Sequence, residues 1–197
     1  MAQAPIEIAP RWRIVSSGSA RGGEGIALVV DPGPGFGDGT HETTQLCLQA
    51  IAVLAPPDRP WRMLDFGSGS GILAIGAAKM GALVDAVEID GLASAHGQQC
   101  ARSNGVAERI HHARSLQDVR GPFDFVVANI LRSVLLAFAD ELVARLAPAG
   151  TLVLSGLVST DVPEVSARFS SLLGRDRRPE VVSLGEWRAL AWRGAAP

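Results

Sequence analysis

The sequence predicts an α/β three-layer sandwich on a mostly parallel sheet, closed by one antiparallel hairpin. Three observations predict it. Short β-type runs alternate with longer runs of helical period. Glycines and prolines, 22 and 12 of them in 197 residues, punctuate those runs. The last two strand-like runs are joined by only Gly185-Glu186, too short a link for a parallel crossover.

In chain order, Trp12 to Val15 and Ile26 to Val30 read as two short strands leading into the loop DPGPGFGDG at 31–39, which holds four glycines and two prolines. From His41 the apolar positions Cys47, Ile51 and Leu54 fall at i, i+4 and i+7, and Pro56-Pro57 stop that helix. Arg62 to Phe66 is a buried strand, the glycine run 67–71 follows, and Ile72 to Met80 is helical up to Gly81. Val84 to Ile89 is the next strand, Leu92 to Ser103 the next helix, and Asn104-Gly105 its stop. Further strands are expected near Ile110 to Ala113 and at Phe123 to Ala128. Leu135, Ala139, Leu142 and Leu146 mark one helix ending at Pro148, before a fifth main strand at Thr151 to Leu157. A helix over Val162 to Leu173 precedes the hairpin strands Val181 to Leu184 and Trp187 to Trp192. No internal repeat stands out.

Composition narrows the class. With 47% hydrophobic and 19% charged residues, the chain is expected to form a single domain over 1–197, with 1–30 as an N-terminal extension and 31–197 as the core. Eighteen basic against 20 acidic residues give a net charge of −2, which supplies no overall positive field for nucleic acid. The longest aliphatic stretch, Ala50 to Ala55, is far short of the roughly 20 residues of a membrane span. The start MAQAPIEIAPRWR lacks the basic and apolar pattern of a secretory signal, so a cytoplasmic location is expected. Cys47 and Cys100 read as buried free thiols. Only His96, four residues before Cys100, stands at a metal-ligand spacing, and two ligands make no metal site.

The run Asp65-Phe66-Gly67-Ser68-Gly69-Ser70-Gly71 lies where a strand turns sharply into a helix. Glycines there let the backbone approach a ligand closely, and the helix N-terminus offers free N–H groups, so the loop is a ligand cradle. Glu88, with Ile89 beside it, ends the next strand 21 residues after Gly67 (88 − 67). An acid in that place accepts both ribose hydroxyls of a nucleoside, and the two features together indicate an adenosine-containing cofactor. Dinucleotide binding expects Gly or Ala where this chain has Ile72. The G-x-G-x-G spacing after Asp65 instead resembles motif I of the S-adenosylmethionine-dependent methyltransferases, which favours that cofactor over NAD.

PGPGFGDGTHETT at 32–44, LDFGSGSGILAIGAAKMGA at 64–82, VEID at 87–90, FDFVVANIL at 123–131, GTLVLSGL at 150–157 and GEWRALAW at 185–192 occur in this order. Together they resemble the PrmA family, the methyltransferases of ribosomal protein L11. The glycine motif is shared by a whole superfamily, whereas FG-x-G-x-H-x-TT joined to ANIL is far more restrictive. The resemblance implies a Rossmann-like class I S-adenosylmethionine-dependent methyltransferase fold with a mostly parallel seven-stranded sheet. It implies methyl transfer to protein amines, a lysine side chain or an N-terminal amine, with ribosomal protein L11 one candidate acceptor and S-adenosylhomocysteine the product.

Carried residue by residue onto this chain, the resemblance implies cofactor contacts from Phe36, Thr44, Asp65, Gly67, Ser68, Gly69, Gly71, Glu88, Ile89 and Asn129. Ser115 and Leu116, in the RSLQD turn, would close over the adenine. Phe36, His41 and Thr43 would line the loop side, with His41, Thr43 and Asn129 at the reacting centre. Asn129 ends a strand, and its side-chain oxygen or the carbonyl beside it would accept a hydrogen bond from the incoming amine. Ile130-Leu131-Arg132 follow and offer no platform for stacking a nucleobase, which points to protein or small-molecule amines. The transfer is an in-line displacement, so orientation matters most. A lysine amine must first lose its proton, at a cost of roughly 4 to 5 kcal/mol at pH 7. Either His41 or water takes that proton.

The chain departs from the pattern in three places. PrmA enzymes carry an N-terminal substrate-docking domain, whereas only about 30 residues precede the loop motif here, so the chain is expected to be the catalytic domain alone. Asp38 stands where the family has Thr, and Arg132 where a small residue is common, each expected to set a charge beside the acceptor cleft. Trp187 and Trp192, five apart on one strand, are expected in packing roles on opposite faces. A small-molecule methyltransferase, and a non-catalytic S-adenosylmethionine-binding module that needs a partner, remain open beside the protein methyltransferase.

Overall fold

The computed structural model describes residues 6–18, 22–56, 59–174 and 177–194; Pro57 of the expected helix stop lies outside them. Strands β1 (Ile6–Ile8), β2 (Trp12–Val15) and β3 (Ile26–Val29) form a small sheet in that order. Helix α1 (Glu42–Leu54) follows, then β4 (Arg62–Phe66), α2 (Ile72–Lys79), β5 (Leu83–Val87), α3 (Gly91–Ser103) and β6 (Ile110–Ala113). The second half runs β7 (Phe123–Asn129), α4 (Arg132–Ala137), α5 (Ala139–Ala144), β8 (Leu146–Val158), α6 (Val162–Leu173), β9 (Glu180–Leu184) and β10 (Trp187–Trp192).

The main sheet has the seven strands that the resemblance implies, in the order β6-β5-β4-β7-β8-β10-β9. β6, β5, β4, β7 and β8 pair in parallel, and β10 pairs antiparallel with both β8 and β9. The chain builds outward from β4 through β5 to β6, then returns to lay β7 on the other side of β4. That reversal opens a crevice beyond the C-terminal ends of β4 and β7, the place where open α/β sheets bind ligands.

Alternation along the strands sends side chains to two cores. Met63, Phe125 and Val127 face the α1–α3 layer with Leu48, Ile51 and Ile75, all fully buried. Leu64, Val126 and Leu154 face the α4–α6 layer with Leu135, Leu142 and Phe169. α2 is buried on every side from Ile72 to Ala78, which explains its all-apolar sequence.

Two elements differ from the sequence reading. The single helix expected up to Pro148 is two short helices that break at Phe138. Leu135, Ala139 and Leu142 do face the core, but Leu146 pairs with Phe123 as the start of β8, and the Phe123 N–H donates to the Arg145 carbonyl at 2.8 Å. Pairing with β7 ends the helix before its apolar spacing runs out. β1 carries no strand signal longer than Ile6-Glu7-Ile8; it pairs antiparallel with β2 and buries Ile8 in the core. No helix among the described residues is long and apolar enough to cross a membrane.

Candidate functional site

The crevice at the sheet's switch point is a cleft of about 820 Å³. Four segments wall it. The glycine turn after β4 contributes Gly67 and Gly69, the end of β5 contributes Glu88, Ile89 and Asp90, the end of β7 contributes Asn129, Ile130 and Leu131, and the loop before α1 contributes Pro34, Phe36, His41 and Thr43.

The glycine turn has its shape because Gly67, Gly69 and Gly71 all take positive φ, at +77°, +53° and +77°. It is then locked from behind. Asp65, fully buried, accepts the Ala74 N–H at 3.1 Å and ties the strand end to the first turn of α2. Burial, opposed by that hydrogen bond and reinforced by the charge of Glu88, pushes the Asp65 carboxyl up to about 7. Among the described residues its second oxygen has no hydrogen-bond partner, and neither has the buried Thr44 hydroxyl.

Glu88 ties the turn from the front, accepting the Gly69 N–H and the Asp90 N–H, each at 2.9 Å. Asp90 caps α3 through the N–H groups of Leu92 and Ala93, and those bonds hold its carboxyl below the usual range. The loop before α1 lies directly on the glycine turn. Ser70 N–H donates to the Phe36 carbonyl at 2.8 Å and the Ser70 hydroxyl to the Gly37 carbonyl at 2.5 Å.

His41 is the N-cap of α1, its Nδ1 accepting the Thr43 N–H at 3.3 Å and standing 2.9 Å from the Thr43 hydroxyl. Its ring lies edge-on to Phe36 at 5.4 Å between centroids and against Trp187 at 4.9 Å. Across the cleft, the Asn129 side-chain amide has no hydrogen-bond partner among the described residues, while its backbone pairs with Ser155 of β8. Phe66 and Phe138, 5.1 Å apart, and Val134 make the apolar floor. Ser115 caps a single 3-10 turn by accepting the Gln117 N–H, and with the buried Leu116 it closes the far end.

Of the sequence-predicted residues, Phe36, His41, Thr43, Gly67, Gly69, Glu88, Ile89, Ser115, Leu116 and Asn129 come together on the cleft wall. Thr44, Asp65, Ser68 and Gly71 do not; they lie behind the wall, buried. Trp187 lines the cleft, contrary to the packing role expected for it, whereas Trp192 is buried in the core. Asp38 turns away from the cleft into a tight turn, accepting the Thr40 N–H at 2.9 Å and hydroxyl at 2.6 Å. Arg132 is taken up by Asp161, the N-cap of α6, and by Glu164 within it. Arg114 and Gln117 of the RSLQD turn and Gly156 of GTLVLSGL also line the cleft, although the motifs that hold them assign them no role. Among the described residues no group of three or more His, Cys, Asp or Glu is placed to hold a metal.

Residues 2–194 match the family model described as ribosomal protein L11 methyltransferase (PrmA). The chain is 39% identical over 194 residues to a ribosomal protein L11 methyltransferase of Trichlorobacter lovleyi, covering 94% of this chain and 61% of that protein. It is thus about three fifths of the length of that curated relative. The structure is similar to that of a ribosomal protein L11 methylase from Lactobacillus delbrueckii subsp. bulgaricus, with a TM-score of 0.85, 28% identity and full coverage of both chains. A 16S rRNA methyltransferase (RsmC) of T. thermophilus, solved with AdoMet and guanosine, aligns with a TM-score of 0.64 and 25% identity over 81% of this chain and 45% of that one.

Proposed function

The chain belongs to the ribosomal protein L11 methyltransferase (PrmA) family, and on that premise we propose that it is the catalytic unit of an S-adenosylmethionine-dependent N-methyltransferase whose acceptor is an amine of ribosomal protein L11. The observation that carries this reading is the convergence of the glycine turn, Glu88 and Asn129 on one cleft at the switch point of the sheet. The acceptor puts the reaction in the cytoplasm, and 31–197 acts as one catalytic core behind the 1–30 extension.

The residues present suit an adenosine-bearing methyl donor. Gly67 and Gly69 present bare backbone to the cleft, with no side chain between it and a ligand, and Glu88 keeps lone pairs for ribose hydroxyls beyond its two backbone bonds. Ser115 and Leu116 close the end where a base would lie. When bound there, S-adenosylmethionine supplies an electrophilic methyl group on a sulfonium.

The rest is orientation. Asn129, whose amide has no other partner among the described residues, accepts a hydrogen bond from the incoming amine and aims its lone pair. Phe66, Val134 and Phe138 exclude water from the floor, which favours the neutral amine. His41 spends Nδ1 as an acceptor in the α1 cap, so in the neutral ring Nε2 carries the proton. We therefore assign His41 to shaping the wall with Phe36 and Trp187, and release of the amine proton to water. The test is release of S-adenosylhomocysteine on incubation with S-adenosylmethionine and purified ribosomal protein L11. Product only when a cell lysate replaces that protein would move the acceptor elsewhere.

A further inference from the structure

The loop at 31–39 is the costliest wall to order, because its four glycines have the most backbone freedom to lose. On one side it rests on the glycine turn through Ser70. On its other side a second cavity of about 290 Å³ opens between the loop and α3, so packing alone does not fix it there.

One side chain crosses that space. His96, on α3, accepts the Gly35 N–H at its Nδ1 (3.3 Å), while its Nε2–H donates to the Asp31 carbonyl at 2.9 Å. One neutral tautomer satisfies both bonds, and together they bracket residues 31–35. Gly33 lies flat on the imidazole: a Cβ there would stand 2.5 and 2.6 Å from two ring carbons. The Cys100 sulfur, 3.5 Å from Nε2, packs on the same edge of the ring. α3 is itself fixed against the glycine turn, since a Cβ on Gly97 would stand 3.2 Å from the Gly69 carbonyl.

We propose that His96 is a positioning residue, which ties the 31–37 loop to α3 and so fixes Pro34 and Phe36 as a rigid wall of the cofactor cleft. The inference rests on the reading of that cleft as the cofactor site. His96 touches neither cofactor nor acceptor and acts through Gly35 and Asp31.

The test compares His96→Leu, which keeps apolar bulk without either bond, with His96→Asn, whose Oδ1 stands near the place of Nδ1 and can accept the Gly35 N–H again. Two readouts are taken: backbone amide exchange over 31–37 in the unliganded chain, and calorimetric affinity for S-adenosylhomocysteine. His96→Leu is expected to speed loop exchange and weaken affinity by about tenfold each, the scale of one or two lost neutral hydrogen bonds. His96→Asn, which restores the Gly35 bond but not the Asp31 bond, is expected to recover part of both. Unchanged loop exchange in His96→Leu, unchanged affinity despite faster exchange, or an Asn variant no better than the Leu variant would each overturn the proposal. Failure of the unsubstituted chain to bind S-adenosylhomocysteine would sink the cofactor reading, and this inference with it.

Discussion

Glu88 accepts the backbone N–H of Gly69 at 2.9 Å, so the acid at the end of β5 holds the glycine turn of β4 in place as well as facing the cleft. One carboxylate joins two strands at the mouth of the site. Glu88→Ala therefore loses a ribose acceptor and a strut of the cradle together. Affinity for S-adenosylhomocysteine is expected to fall by about 1.5 to 3 kcal/mol, the range for hydrogen bonds to a charged group. Unchanged affinity by calorimetry would remove Glu88 from the ribose site.

Gly69→Ala tests the contact between the two loops. Its φ of +53° disfavours a side chain, and the added Cβ would strike the Phe36 carbonyl. Strain of about 1 to 3 kcal/mol is expected, read as a lower melting temperature with weakened cofactor affinity. A variant that melts and binds like the unsubstituted chain would show that the loops separate freely.

Asn129→Ala should behave differently, because the side-chain amide supports no other group among the described residues. Turnover is expected to fall at least about tenfold, from lost orientation of the amine, with little change in melting temperature. Equal losses of stability and turnover would make the residue structural.

Asp65 predicts a pH dependence of stability. Its carboxyl is pushed up to about 7 in the folded chain, chiefly by burial, against an ordinary value near 3.9 when unfolded. Between those values the folded chain holds a proton that the unfolded chain has released. The contribution is therefore complete below about pH 4, declines as pH rises through about 7, and is flat above. Asp65→Asn keeps an acceptor for the Ala74 N–H without the charge. In urea unfolding it should gain stability relative to the unsubstituted chain at pH 8 compared with pH 5. An equal difference at both pH values would contradict the assignment.

Arg132→Ala loses its links to Asp161 and Glu164, which tie α4 to α6. The arginine is about half exposed, so the cost is expected at or below about 1 kcal/mol. KM for the acceptor should not move. A severalfold rise in KM would return Arg132 to the acceptor cleft.

Much of this arrangement is legible in the sequence, for physical reasons. Glycines that interrupt an apolar strand and precede an apolar helix have few structural readings, and β4 and its glycine turn fall where RMLDF and GSGSG place them. Glu88 and Asn129 are readable because parallel strands bring their C-terminal ends to one edge. Trp187 is not: strand alternation puts it opposite Trp192, but only the antiparallel placement of β10 on β8 brings its ring against His41. The partners of Asp38 and Arg132 are not legible, because a charge in a sequence does not show what it pairs with, here Thr40, Asp161 and Glu164. The end of α5 before Leu146 is hidden because helix-type spacing continues to Leu146, where pairing with Phe123 prevails, and no breaker residue marks the split at Phe138.

The most direct measurement is intact-mass spectrometry of ribosomal protein L11 after incubation with S-adenosylmethionine and either the unsubstituted chain or Asn129→Ala. The account predicts stepwise gains of single methyl groups with the former and a marked loss of them with the latter. Unmodified ribosomal protein L11 after incubation with a chain that binds S-adenosylhomocysteine would contradict it.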